Sequence, residues 1–200
     1  MAVYSSAMSG REGETEVSSQ ISALIHQWGN GDREALKKFL PLVYNDLRQR
    51  ARFLLKNERS DISWQGTELV HELYFDLAKL PPMKWNRGQF FAFAVNRMRL
   101  ILVDHARQRS RQKRGGSTIR ISLDGAENGA AGKELDLDVV ALHDALGALA
   151  ETNARRAQIV ELKVFGGYSV EEIAGILKLK PATIKRDWNQ GLAWLRERLE

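Results

Sequence analysis

The pattern of apolar and polar positions is helical from residue 20 onward. Ser18 to Trp28 reads as a short amphipathic helix. Gly29-Asn30-Gly31-Asp32 breaks it, and Asp32 is placed to cap the next helix. From Arg33 to about Lys56, the apolar residues Leu36, Phe39, Leu40, Val43, Leu47, Ala51, Leu54 and Leu55 keep to one side. Pro41 is expected to bend that helix, because it removes an internal hydrogen bond. A third helix is predicted over Thr67 to Leu80, ended by Pro81-Pro82. A loop from Met83 to Gly88 leads into a fourth helix, from about Gln89 to Arg109. No convincing run of strands is visible.

The stretch Gly115 to Asp138 breaks the pattern. It holds five of the sixteen glycines and has no apolar period. Its acids, Asp124, Glu127, Glu134, Asp136 and Asp138, outnumber Arg120 and Lys133, and it reads as an interdomain linker. Beyond it, Val139, Leu142, Leu146 and Leu149 mark one amphipathic helix, Arg155 to Phe165 a further one, and the last two helices form a pair. The fold class expected is all-α, with two small helical domains joined by a flexible linker. The boundaries expected are a flexible tail over 1–19, a first domain over 20–112, the linker over 113–135 and a second domain over 136–200.

In the final pair, Ser169-Val170-Glu171-Glu172 fits the capping box, in which serine and glutamate satisfy free N–H groups at a helix start. Val170, Ile173, Ala174 and Leu177 then face inward. Lys178-Leu179-Lys180 forms a tight turn, and Pro181 suits the first position of the next helix, where its missing N–H costs nothing. Ile184, Trp188, Leu192, Leu195 and Leu199 form the buried stripe. At about 100° per residue, Thr183, Arg186 and Gln190 fall opposite it, flanked by Lys185 and Asn189. Hydrogen-bonding side chains at the start of the second helix are what a helix-turn-helix presents to base edges, with Lys178, Lys180 and Lys185 beside them for phosphates. An ordinary helical hairpin with a solvated polar face would show the same pattern.

Composition narrows the function classes. The chain is 44% hydrophobic and 28% charged, which suits a globular protein, and its net charge of +5 favours an anionic partner such as nucleic acid. It has no cysteine, which excludes disulfides, thiolate metal sites and a cysteine nucleophile. The opening MAVYSSAMSGREGETEVSS lacks a basic start followed by an apolar run, so no secretory signal is read there, no membrane association is expected and the compartment expected is the cytoplasm. His26, His71, His105 and His143 are scattered without metal-ligand spacing, and Gly115-Gly116 and Gly166-Gly167 lack the context of a phosphate-binding loop. No catalytic residue, metal or cofactor is expected.

From Arg97 to Arg114 seven bases, Arg97, Arg99, Arg107, Arg109, Arg111, Lys113 and Arg114, stand against one acid, Asp104. Trp85, Phe90, Phe91 and Phe93 lie upstream. Aromatic rings beside a basic track suit single-stranded nucleic acid, whose bases stack while its phosphates meet cations. Phe90 and Phe93 are expected in the core. Trp85, in a polar loop between prolines and Gly88, is expected as an exposed contact.

These residues resemble a family. Thr67-Glu68-Leu69-Val70-His71-Glu72-Leu73-Tyr74 resembles the region 2.2 helix of extracytoplasmic-function (ECF) sigma factors, and Ile101-Leu102-Val103-Asp104-His105-Ala106-Arg107 the end of their region 2.3 to 2.4 helix. The segment from Gln158 to Ala174, through Phe165-Gly166-Gly167-Tyr168-Ser169, and Pro181-Ala182-Thr183-Ile184-Lys185-Arg186-Asp187-Trp188 resemble region 4. The resemblance implies an alternative sigma factor whose partners are core RNA polymerase and promoter DNA. It implies polymerase docking through Glu68, His71 and Glu72. It implies −10 contacts from the loop and helix carrying Trp85, Asn86, Arg87, Arg97 and Arg107. It implies −35 contacts from Lys180, Thr183, Lys185, Arg186, Asn189 and Gln190. Three departures stand out. Trp64, Gln65, Gly66 and Thr67 replace acids usual before the docking helix, an asparagine usual near Leu100 is missing, and Lys180 stands where a serine usually caps the recognition helix. The first departure makes Thr67 a candidate phosphorylation site, since some ECF groups lacking these acids are similar in having a threonine there for a Ser/Thr protein kinase; an anti-sigma factor is the other expected regulator. A helix-turn-helix regulator that is not a sigma subunit is the competing reading.

Overall fold

The computed structural model describes residues 3–56, 65–112, 120–123 and 135–199. Trp64, Lys113, Arg114 and the linker stretches 113–119 and 124–134 lie outside the described residues. Among the described residues seven helices carry the fold: α1 (Val3–Gly29), α2 (Arg33–Lys56), α3 (Gly66–Lys79), α4 (Arg87–Gln112), α5 (Val139–Val164), α6 (Val170–Leu177) and α7 (Pro181–Leu199). Two short strands, β1 (Arg120–Leu123) and β2 (Leu135–Asp138), pair antiparallel with Ile121 opposite Leu137. The fold is thus all-α, with one strand pair in the segment read from sequence as linker.

The helix starts follow from local chemistry. The Asp32 carboxylate accepts from the N–H groups of Glu34 and Ala35 and caps α2 as expected. Leu36, Phe39, Val43, Leu47, Ala51 and Leu54 line the buried side of α2, and Pro41 lies inside the helix with its side exposed. Asp138 caps α5 through Val140 and Ala141. The α5 helix breaks at Asn153, whose backbone is extended at φ −154° and ψ 84°. The Asn153 side chain accepts from Arg156 N–H and caps the second half, so the two helices read from sequence meet there end to end.

The first helix reaches back to Val3 through the stretch read as a flexible tail. No proline interrupts residues 3–29, so nothing in that stretch removes a backbone donor from the helix. In its C-terminal part Ile21, Ile25 and Trp28 are buried against the rest of the fold.

The buried apolar residues form one contiguous cluster, running from Ile21 in α1 through Phe90 and Met98 in α4 to Phe165 and Ile184 in the C-terminal helices. The two helical units therefore share a packed boundary. It is made by α4 against α5 and α6, with the Gly166-Gly167 turn approaching α2.

Candidate nucleic-acid interface

The start of α3 lies one residue ahead of the predicted Thr67. The N-cap is Gln65, whose N–H donates to the Glu68 carboxylate at 2.9 Å, while Glu68 N–H donates to the Gln65 carbonyl. Gly66 is the first helical residue and is buried against α2; a β-carbon there would stand 3.3 Å from the Arg48 carbonyl oxygen. That close approach draws one more residue into the helix, so Thr67 is its second residue, half-buried. Leu69, Val70, Leu73 and Leu77 face the core, and Glu68, His71 and Glu72 stand exposed along the opposite side. Phe75, further along, is 57% exposed.

The loop before α4 also departs from expectation. Trp85 is only 8% exposed and packs edge-on to Trp28 at 5.2 Å between ring centroids, with Phe93 at 4.5 Å. It is a core residue, because α1 ends beside this loop and supplies an aromatic wall that the local sequence does not reveal. Phe90 is fully buried and Phe93 partly so, as expected. Asn86 remains exposed, and its side chain accepts from Gln89 N–H at 2.8 Å, capping α4 two residues before the predicted start. Arg87 donates to the Ser18 hydroxyl and lies 3.5 Å from the Asp46 carboxylate.

The basic residues of α4 point in several directions. Arg97 pairs with Asp76 of α3, and Arg107 with Asp144 of α5 at 3.0 Å. Arg99 is 7% exposed. Its Nε donates to Glu161 Oε1 at 2.6 Å, its Nη1 meets His143 Nδ1, and its guanidinium lies 5.5 Å from the Phe165 ring centroid. Asn96 donates to the same Glu161 oxygen at 2.6 Å. Burial, helped by Arg99 and Arg107, holds the His143 imidazole below its ordinary value. The sequence did carry a signal for Arg99. It falls among Val95, Met98, Leu102 and Val103, on the apolar side of its helix.

The last two helices form a helix-turn-helix. Ser169 and Glu172 cap α6 reciprocally as predicted. Lys178 closes α6 in the left-handed conformation at φ 55°, and Pro181 opens α7. Ile184, Trp188, Leu192 and Leu195 are buried, and Gly191 lets α7 lie close on α5, since a β-carbon there would stand 2.5 Å from Val160 Cγ2. Lys180, Lys185, Arg186, Asn189 and Gln190 are exposed and Thr183 half-buried. The Gln190 side chain accepts from Arg156, which holds it at the edge of the face. Asp187, missed in the sequence, is 1% exposed and takes a 2.8 Å bond from Arg155 Nε, tying α7 to α5.

Between the two units lies a cleft of about 930 Å³, lined by Arg50, Phe53, Asn86, Arg87, Tyr168 and Ile176 among others. Arg50 donates to the Gly166 carbonyl at 2.7 Å and stacks on the Tyr168 ring at 3.8 Å. Burial pushes the Tyr168 phenol up to about 12, so it stays protonated at neutral pH. Among the described residues no three His, Asp or Glu side chains gather as a metal site would require.

An exposed helix-turn-helix face, beside a second helical unit with Glu68, His71 and Glu72 exposed and a basic helix, defines a class of protein: a two-unit helical protein built around a helix-turn-helix. The comparisons give the family. A family model described as ECF sigma factor matches residues 18–200, and the chain belongs to that family. Its role is that of an alternative sigma factor in transcription initiation. Among curated proteins nothing matches it. Among solved structures, it is similar to the sigma factor RpoE in complex with the anti-sigma factor NepR, from Bartonella quintana. The identity there is 23%, over 80% of this chain and 94% of that chain, with a TM-score of 0.37. It is also similar to CnrH in complex with the cytosolic domain of CnrY, at 16% identity over 89% of this chain and 96% of that chain, with a TM-score of 0.37.

Proposed function

We propose that α3 docks this sigma factor on core RNA polymerase through Glu68, His71 and Glu72, that the α4 unit contacts and opens the −10 element, and that α7 reads the −35 element in the major groove. The observation that carries the reading is the exposed row Lys185, Arg186, Asn189 and Gln190 at the N-terminal half of α7, opposite a stripe that is buried. Asn86, Arg87, Arg97 and Arg107 are the −10 candidates; Trp85 supports that site from the core instead of touching DNA. Lys180, Lys185 and Thr183 sit where phosphate and edge contacts would fall. The protein works without catalysis, in the cytoplasm, where polymerase and promoter DNA are found.

Control through Thr67 is part of this proposal. As the second residue of α3, Thr67 lies in the first turn, where backbone N–H groups have no helical partner and the dipole favours an anion. A phosphate there would add about −1.5 to −2 charges to a docking face whose acids are Glu68 and Glu72. A Ser/Thr protein kinase would then be the activating partner, and an anti-sigma factor the alternative regulator.

The test is transcription in vitro with purified core polymerase over a promoter library, using Thr67-phosphorylated and unmodified chain, with Thr67→Ala beside them. Promoter-specific transcripts support the sigma reading, and a large excess from the phosphorylated form supports the switch. Equal activity of both forms removes the switch. Promoter binding without association with core polymerase would instead favour a helix-turn-helix regulator.

A further inference from the structure

The cleft of about 930 Å³ falls within the size of small-molecule sites, about 300–1,000 Å³. Its walls join flat apolar surface to hydrogen-bond donors. Phe53 is 41% exposed, although one side of its ring lies on Gly167, where a β-carbon would stand 3.2 Å from the ring. Phe91 and Ile176 extend the apolar wall. Gly88, Gly166, Gly167 and Gly175 also line it, so that part of the wall carries no side chain. At Gly175 an added β-carbon meets nothing within 4 Å.

The polar side of the cleft is rich in donors and short of acceptors. Its charges balance formally, Arg50 and Arg87 against Asp46 and Glu172, but both acids are engaged. Asp46 lies 3.5 Å from Arg87, and Glu172 accepts the Ser169 N–H at 2.8 Å in the cap of α6. Arg50 has no carboxylate partner among the described residues. It donates to the Gly166 carbonyl and lies over the rings of Tyr168 and Phe91. Arg50 Nε and the Tyr168 hydroxyl are buried without a hydrogen-bond partner among the described residues, and Tyr168 is 4% exposed. Asn86 spends its side-chain oxygen on the cap of α4, which leaves its amide N–H groups to donate. Buried donors without acceptors, and a guanidinium without its counter-charge, are costly to keep. What would complete this surface is an oxygen anion.

We infer that this cleft binds a small aromatic carboxylate, with its ring against Phe53 and its carboxylate taken by Arg50 and the neighbouring donors. A carboxylate matches the planar fork of a guanidinium and brings acceptor oxygens together with the missing charge. A flat ring suits the open side of Phe53, which favours offset or edge contacts. Free phosphate would meet Arg50 and leave Phe53 uncovered; a neutral aromatic would do the reverse. A compound carrying both groups answers both halves of the site. The lining comes from α1, α2, the start of α4, the turn before α6 and α6 itself, so an occupied site stabilises the folded chain by mass action. The chain thereby responds to the concentration of such a compound. This inference does not depend on the roles proposed for α3, α4 and α7.

Calorimetric titration of the full-length chain at neutral pH tests it, with benzoate and indole-3-acetate as probes and with sodium phosphate and benzyl alcohol beside them. At least one aromatic carboxylate should bind saturably with a Kd of about 1 mM or tighter, and about tenfold or more tighter than phosphate or benzyl alcohol. The thermal midpoint should rise with its concentration. Gly175→Glu sets a carboxylate of the chain's own in the cleft, where there is space for it, and should weaken binding by about tenfold or more with helical content unchanged. Phe53→Ala, which removes the ring, should do the same. A Kd weaker than about 10 mM for both carboxylates overturns the proposal. So does binding that both variants leave unchanged, since the compound would then sit elsewhere. Equal binding of phosphate or benzyl alcohol also overturns it, since half of the site would then suffice. If Phe53→Ala fails to fold, the Gly175→Glu arm decides.

Discussion

Arg99 Nε donates to Glu161 Oε1 at 2.6 Å, joining two residues 62 positions apart in the chain and one helix from each unit. Asn96 shares the same oxygen and His143 meets the other side of the guanidinium. The pair is thus satisfied on several sides, which is the condition under which a buried charge is tolerated.

The first prediction concerns pH. Burial first, then Arg99 and Arg107, lower the His143 value from 6.5, against the opposing pull of Asp144 and Glu161. The unfolded chain then binds a proton at this residue more readily than the folded one. The stability contributed is fully present above pH 6.5 and is lost as pH falls through the lower folded value. Thermal unfolding followed across that window should show the midpoint falling with pH, with a shallower fall in His143→Gln. Identical slopes for the two proteins would remove His143 as the cause.

Trp85→Ala should cost about 3–5 kcal/mol in denaturant unfolding, as expected for a large aromatic removed from a packed core. Trp85 contacts Trp28, Phe90 and Phe93, so the cavity would lie between α1 and α4. A loss below about 1 kcal/mol, within the range of ordinary surface substitutions, would return Trp85 to an exposed role.

Two glycines inside helices should respond with opposite sign. At Gly147 in α5 an added β-carbon meets nothing within 4 Å, so Gly147→Ala should stabilise by about 0.4–1 kcal/mol through the unfolded chain. At Gly191 the same carbon would stand 2.5 Å from the stiff Val160 side chain, so Gly191→Ala should cost about 1–3 kcal/mol by overpacking. Equilibrium unfolding of both variants in one denaturant series checks the pair.

On α7, Arg186 is 62% exposed at its side chain, with only a distant 3.5 Å approach to Asp187. If it reads a base edge, Arg186→Ala should relax preference at one −35 position by about 1–3 kcal/mol. Lys185→Ala should weaken binding evenly across sequences and lower the salt slope by about 1. Competition among promoter variants in holoenzyme distinguishes these outcomes; a uniform loss in both would make Arg186 a phosphate contact.

Glu72→Lys should weaken binding to core polymerase without changing the unfolding midpoint, because Glu72 is exposed on α3, whose buried side is made by Leu69, Val70, Leu73 and Leu77. A titration against core polymerase showing unchanged affinity would count against this docking face.

The amino-acid sequence determined the helices, the helix-turn-helix and its family. Period and capping are local properties. Asp32, Ser169 with Glu172, and Pro181 mark helix starts that the structure keeps, and the stripe Ile184, Trp188, Leu192 and Leu195 selects the buried side of α7. Where those signals were absent, tertiary contact decided. Trp85 stands in a polar loop and looks free, yet Trp28 closes over it. Thr67 looks like the first residue of its helix, yet Gly66, close against α2, comes before it and Gln65 is the cap. Segments that lacked an apolar period still became strands, because Ile121 and Leu137 had each other to pair with. The packed boundary between the units was least legible. Periodicity places Arg99 on the inward side of α4, but its local sequence is the same whether its partner there is Asp144, His143 or Glu161. Only the approach of α5, which brings that carboxylate within 2.6 Å, decides among them.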